Sequence, residues 1–364
     1  MVEARVAHTQ IHRRPRLPSN QLALALSGGT VLVVQTNFRA FAAVFATLAN
    51  WACSTPAAQP DAASPQVDAT AAHDAQVDGP DSAGPAGGRY YFYAFHNEPH
   101  LTESEVAVAF PKLRSRVEKA SGYGIKLTLM MGISWADYFV KHPNDANEVR
   151  QWASKGHELS SHHHSAYHPK PDGFASSQAF YETTASPSAK KSKAFQGTYA
   201  EWTRRQQLFN PTLKSGCAGD EADKSVMPSI IAYDSCSGFL MHGPVGVRGA
   251  ARDSAQGFAE YVLSGTTLDG INRRWLAHTF LDTSAELDSA KSTFLTIANG
   301  VYGAVNHSDD DAELAIADQW IEFLHQQDPS GAKSVTLTGA IEGQLLPVQA
   351  IDSAVLNQVF SAKQ

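Results

Sequence analysis

From residue 89 onward the apolar and polar positions switch between two periods, and the switches mark the elements. Tyr90-Tyr91-Phe92-Tyr93-Ala94-Phe95 is an aromatic run with strand character that ends in a polar cluster, His96-Asn97-Glu98-Pro99-His100. Helical spacing from Glu103 to Ala120 follows, then Ile125 to Met131 as a second strand. Trp135 to Val140 and Asn147 to Ser154 read as helices, the latter closed by Lys155 and by Gly156 in the C-cap position. His157 to Ser161 reads as a third strand. This βαβαβ order with short connections predicts an α/β fold built on a parallel sheet or a β/α barrel.

The pattern fades in the middle of the chain and returns in its last third. From about Lys170 to Asn210, Ser, Thr and Lys dominate, with aromatics at helical spacing. The region from Cys217 to Cys236 reads as an insertion, with strand candidates at Ile230 to Tyr233 and Gly238 to Met241. Trp275 to His278 predicts a strand, Ser289 to Ala298 a helix, and Gly300 to His307 a strand ending in a polar pair. Asp309 to Asp311 then cap a helix whose Leu314, Ala317, Ile321 and Leu324 share one face. Val335 to Thr338 alternates as a final strand.

Composition adds boundaries. The chain has 364 residues, a net charge of -7 and no Lys/Arg cluster in its folded part, which argues against a nucleic-acid partner. Phe41 to Ala52 is apolar, preceded by Arg39 and followed by Cys53-Ser54, the layout of an export signal with a cysteine where a bacterial lipoprotein is cleaved and acylated. A simple secretory signal or an uncleaved anchor is the alternative. Residues 1–53 are therefore read as signal, 54–88 as a disordered Ala/Pro/Asp-rich linker, and 89–364 as the folded domain. Contact with a membrane would come only through a lipid at Cys53, and Ser54 resembles the residue that sorts lipoproteins to the outer membrane. The expected location is the outer membrane or cell surface, otherwise the periplasm or the medium. Cys217 and Cys236 remain as an even pair suited to a disulfide in an exported domain.

Five of the 15 histidines fall between Gly156 and His168, namely His157, His162, His163, His164 and His168. Neutral imidazole is a common zinc ligand, and alternate residues on a strand can converge on one ion. The competing reading is a solvated histidine-rich loop, but the run is central and follows a strand. Three strand ends carry imidazole or carboxylate groups: His96/Asn97/Glu98, His162/His164/His168 and His307. Neighbouring parallel strands would bring them to one rim, a geometry suited to metal-assisted hydrolysis. Each residue also has a plainer role: Glu98 as a helix cap, His307 bonded to a core carbonyl, His157 and His278 as packing residues, Asp172 as a turn former.

Gly156-His157-Glu158 together with His164-Ser165-Ala166-Tyr167-His168 resembles the second motif of the polysaccharide deacetylases, carbohydrate esterase family four. Gly303-Ala304-Val305-Asn306-His307 resembles the family's late strand with its acid histidine. The first motif differs: Phe95-His96-Asn97-Glu98-Pro99 stands where the family has Phe-Asp-Asp-Gly-Pro. His162 lies at the family's distance from Gly156, whereas the four-residue spacing belongs to His164 and His168. Arg248 after Gly243-Pro244 is a weak counterpart of the family's arginine. The resemblance implies an irregular (β/α) barrel of the polysaccharide deacetylase type that removes acetyl groups from a polysaccharide or cell-envelope glycan. It implies a divalent metal, zinc first among them, with Glu98, His162, His164 and His168 as candidate ligands, His96 or Glu98 as base and His307 as acid. A catalytically inactive, metal-containing glycan-binding or structural envelope lipoprotein is the alternative.

Overall fold

The aromatic run becomes the centre of a sheet because it can be covered on both faces. In the computed structural model, which describes residues 23–25, 31–33, 88–217, 230–235, 260–263 and 273–351, strand β1 is Arg89–Asn97, and every residue from Tyr91 to Asn97 is buried. The apolar stretch Phe41 to Ala52 with Cys53, nearly all of the linker, Cys236, Gly238 to Met241 and Arg248 lie outside the described residues. One antiparallel pair, Ala23–Ala25 with Val31–Val33, belongs to the unit Met1–Val77; all else described here belongs to the unit Asp78–Gln364.

The other strands of the large sheet are β2 (Leu127–Gly132), β3 (Glu158–His162), β4 (Ser215–Cys217), β5 (Tyr233–Asp234), β6 (Glu260–Leu263), β7 (Arg274–Leu276), β8 (Thr279–Phe280), β9 (Gly300–His307) and β10 (Val348–Ile351). Their order is β8-β9-β1-β2-β3-β4-β5-β7-β6-β10. Among the described residues of this sheet, all neighbours from β8 to β7 run parallel, β6 and β10 pair parallel, and the β7–β6 pair is antiparallel. This eight-strand parallel run curls as a half-barrel, as the βαβ order predicts for an α/β protein. Register aligns the strand ends: His307 pairs with His96, Asn97 with Met131, Gly132 with His162, and His162 with Cys217.

Helices cover the sheet for reasons written in their ends. Helix α1 (Glu103–Gly122) starts at a capping box in which Thr102 accepts from the Glu105 backbone and Glu105 accepts from Thr102 N. Its Val106, Phe110, Leu113 and Val117 are buried. The other helices are α2 (Ile133–Lys141), α3 (Pro143–Ser154), the short α4 (Gln178–Thr184) and α5 (Pro187–Ser192), α6 (Tyr199–Phe209), α7 (Ser284–Thr296) and α8 (Asp311–Gln327); Tyr181 of α4 and Ala189 of α5 pack in a separate small cluster with Ala166 and Ala175. Gly156 takes φ 100° after α3, the left-handed turn that lets the chain re-enter as β3. In α8, Asp310 is the N-cap, and Leu314, Ala317, Ile321 and Leu324 face the core as their spacing predicts.

Four readings are corrected. Helix α7 starts at Ser284, ahead of Ser289, because Thr283 and Glu286 form a second capping box. Val335 to Thr338 is not a strand. Thr336 caps a helix, α9 (Leu337–Glu342), by accepting from Gly339 N, and Leu337 N donates to Thr128 Oγ1. Local hydroxyl capping outweighs a four-residue alternation, and the closing strand lies later, at Val348–Ile351. The Ile230 to Tyr233 candidate shifts to Tyr233–Asp234, and Trp275 to His278 divides between β7 and the turn before β8.

Candidate metal centre

The site grows from the carboxyl ends of β1, β3 and β9. Side chains alternate along an extended chain, so the three consecutive histidines at the end of β3 divide between two directions. His162 and His164 turn toward Glu98, whereas His163 packs edge-on against Tyr199 and Trp202. His163 Nδ1 lies 2.7 Å from Asp172 Oδ2, and both residues are buried. Asp172 also forms the expected turn by accepting from Phe174 N, and its own N–H donates to His164 O at 3.0 Å, tying down the segment that carries His164. On the other side, Gly132 leaves room for Pro99: a Cβ there would collide with the Pro99 backbone. That close approach lets the chain beyond Glu98 cross the end of β2.

Glu98 sits at the centre and does not cap a helix, since Thr102 does. Its carboxylate oxygens lie 3.6 Å from His162 Nε2, 3.6 Å from His164 Nε2, 3.5 Å from His307 Nε2 and 2.9 Å from His100 Nδ1. One donor atom from each of Glu98, His162 and His164 can be chosen so that all lie within 4.8 Å of one another. Around a tetrahedral zinc with bonds of 2.0–2.1 Å, ligand atoms stand roughly 3.3 Å apart, close to the measured 3.6 Å. The donor chemistry fits too. His162 is 2 % exposed, yet neither ring nitrogen has a hydrogen-bond partner among the described residues. A buried imidazole with two unpaired nitrogens is costly unless something else occupies a lone pair.

His96 stacks on His162, with centroids 4.3 Å apart and planes 23° from parallel, and meets His278 and His307 edge-on. Burial, with the neighbouring His162, His278 and His307, holds its pKa well below the usual imidazole range, so the ring is neutral and keeps a lone pair. Burial likewise holds His164 low against the pull of Glu98. For Glu98 burial acts upward, but His164 and contacts from His100 and His162 outweigh it and keep the carboxyl ionised, well below its usual range. His307 is the opposite case. Burial disfavours its charge, but Glu313 Oε2 at 2.8 Å from Nδ1, together with Glu98 and Asp282, raises its pKa to about 9.

His168 stands apart from the converging donors: its ring lies against His164, centroids 3.7 Å apart, and its Nδ1 accepts from Lys170 N. Asn97 turns its amide nitrogen to the Phe95 and Met130 carbonyls. His157 is structural, accepting from Leu127 N at Nδ1 and meeting Ser121 Oγ at Nε2. His278 is buried against Phe280 and His96. Cys217 joins His96 and His162 in a second converging trio, but it is disulfide-bonded and so is no thiolate donor. His100, Glu313, Asp282 and Cys217 are the neighbours that sequence reasoning missed. Glu313 carried a readable signal, standing in the first turn of a capped helix six residues after His307. Compared with protein-family models, curated proteins and solved structures, the chain matches none.

Proposed function

We propose that the chain is a metal-dependent hydrolase that removes acetyl groups from a polysaccharide or cell-envelope glycan, on an irregular barrel of the polysaccharide deacetylase type. The observation that carries the reading is the buried convergence of Glu98, His162 and His164, with His307 Nε2 3.5 Å from Glu98 and His96 stacked on His162. Those three residues would hold zinc or a similar divalent ion, which supplies Lewis-acid charge to a water and an acyl carbonyl. His96, neutral and desolvated, is suited to accept the water's proton. His307, charged at neutral pH and oriented by Glu313, is suited to donate to the leaving nitrogen or oxygen. The acetylated-glycan substrate and the lipid-anchored, exported location come from the motif resemblance and the Cys53 segment, and they belong to the proposal. Acetate release from chitin oligomers and acetylxylan, with and without chelator, tests it. Chelator-sensitive release supports the reading; metal bound stoichiometrically without turnover on a broad acetylated panel would favour the glycan-binding alternative.

A further inference from the structure

A second converging trio shares His162 with the first. His96, His162 and Cys217 are all buried, and a donor atom from each lies within 4.8 Å of the others. Register explains the approach: His162 pairs with Cys217 across the β3–β4 ladder, and His163 N donates to Cys217 O at 2.9 Å. The imidazoles that face the sulfur are themselves unsatisfied. His96 is 1 % exposed with no hydrogen-bond partner at Nε2 among the described residues, and neither nitrogen of His162 has one among them. Cys217 is held as a disulfide, which withholds the thiolate such a site requires.

The geometry points to a thiol-gated metal site: when the Cys217 disulfide is reduced, the freed thiolate completes a Cys/His/His site for zinc or another thiolate-preferring cation, drawing on His162. The balance is that of thiol–disulfide exchange with a dithiol reductant. One reductant thiolate attacks a sulfur of the bond and a second resolves the mixed disulfide, so two electrons pass to the protein's sulfurs and the reductant leaves as its own disulfide. Soft thiolate donors favour zinc and copper(I) over hard cations, so reduction changes which ion the cluster prefers. In the oxidised protein His162 serves the Glu98 side; in the reduced protein the two trios compete for it. The inference does not rest on the hydrolase reading, since it needs only His96, His162 and Cys217.

The test is a cobalt(II) titration of the full chain, oxidised and after reduction by a phosphine removed before metal is added. A sulfur-to-cobalt charge-transfer band is expected in the reduced protein alone and should vanish on reoxidation, while zinc binding tightens by about tenfold on reduction. His96→Phe keeps a ring stacked on His162 but removes the nitrogen, and it should abolish the band. Glu98→Gln should retain the band, even though it disables the carboxylate site. Failure of the hydrolase reading would therefore show in acetate release, separately from this spectrum. No sulfur band in reduced wild type overturns the inference, as does a band of full intensity in His96→Phe.

Discussion

Glu313→Gln removes one negative charge beside His307 while keeping the shape of the side chain, and its consequence can be worked through from the contact. In the native protein Glu313 Oε2 accepts from His307 N at 2.9 Å and lies 2.8 Å from His307 Nδ1. Burial pushes the imidazole pKa down, but Glu313, Glu98 and Asp282 outweigh it and lift the pKa from 6.5 to about 9. That rise corresponds to roughly 3 kcal/mol favouring the charged ring. Because the folded-state value is raised, its stabilising contribution is fully present below pH 6.5 and is lost as pH rises through about 9. Removing the Glu313 charge should lower the His307 midpoint by about one pH unit or more, so the alkaline loss begins earlier. The assay is an NMR titration of the His307 ring in chelator-treated protein, with urea midpoints at pH 7 and 9.5 beside it. A native His307 titrating near its ordinary value, or a midpoint identical in the variant, would refute the reasoning.

Three further outcomes follow from other contacts. Burial foremost, and then Lys155, holds the His157 pKa at about 4, so the unfolded chain takes up the proton first. Stability should fall as pH drops from 6.5 toward 4, by on the order of 3 kcal/mol, and His157→Gln should flatten that part of the urea-midpoint curve; parallel curves would count against it. Asp172→Ala leaves His163 buried without its carboxylate and should cost about 1–3 kcal/mol in thermal or urea unfolding. Zinc affinity should drop by roughly tenfold or more because the His164 segment loosens, and unchanged affinity would show that Asp172 does not position His164. Gly303→Ala would drive a methyl into the Phe92 ring in the middle of the sheet, for a loss of about 1–3 kcal/mol measured by urea unfolding; native-like stability would mean that the ring can move aside.

The first three strands and β9 were legible because their signals are local. An aromatic run, a capped helix and the Gly156 stop appear in order, and Gly300 to His307 is both the predicted and the observed strand. The same locality misled at Val335 to Thr338, where a Thr336 hydroxyl and a long-range bond to Thr128 decide the outcome. At the site, the sequence named Glu98, His162, His164 and His307 but could not choose among neighbouring histidines. Alternation along the chain as it leaves β3 makes that choice, turning His163 to Asp172 and sending its neighbours to Glu98. Nothing local announces that Cys217 will lie beside His96, 121 positions earlier in the numbering, because only the β1–β2–β3–β4 register brings them level.

Zinc content and affinity of the purified, oxidised protein, measured beside Glu98→Gln and His162→Ala, test the central claim most directly. The account predicts about one tightly held zinc per chain in the native protein and its loss from both variants with the fold retained by circular dichroism. Native protein that takes up no zinc, or variants that bind it as tightly as the native chain, would contradict it.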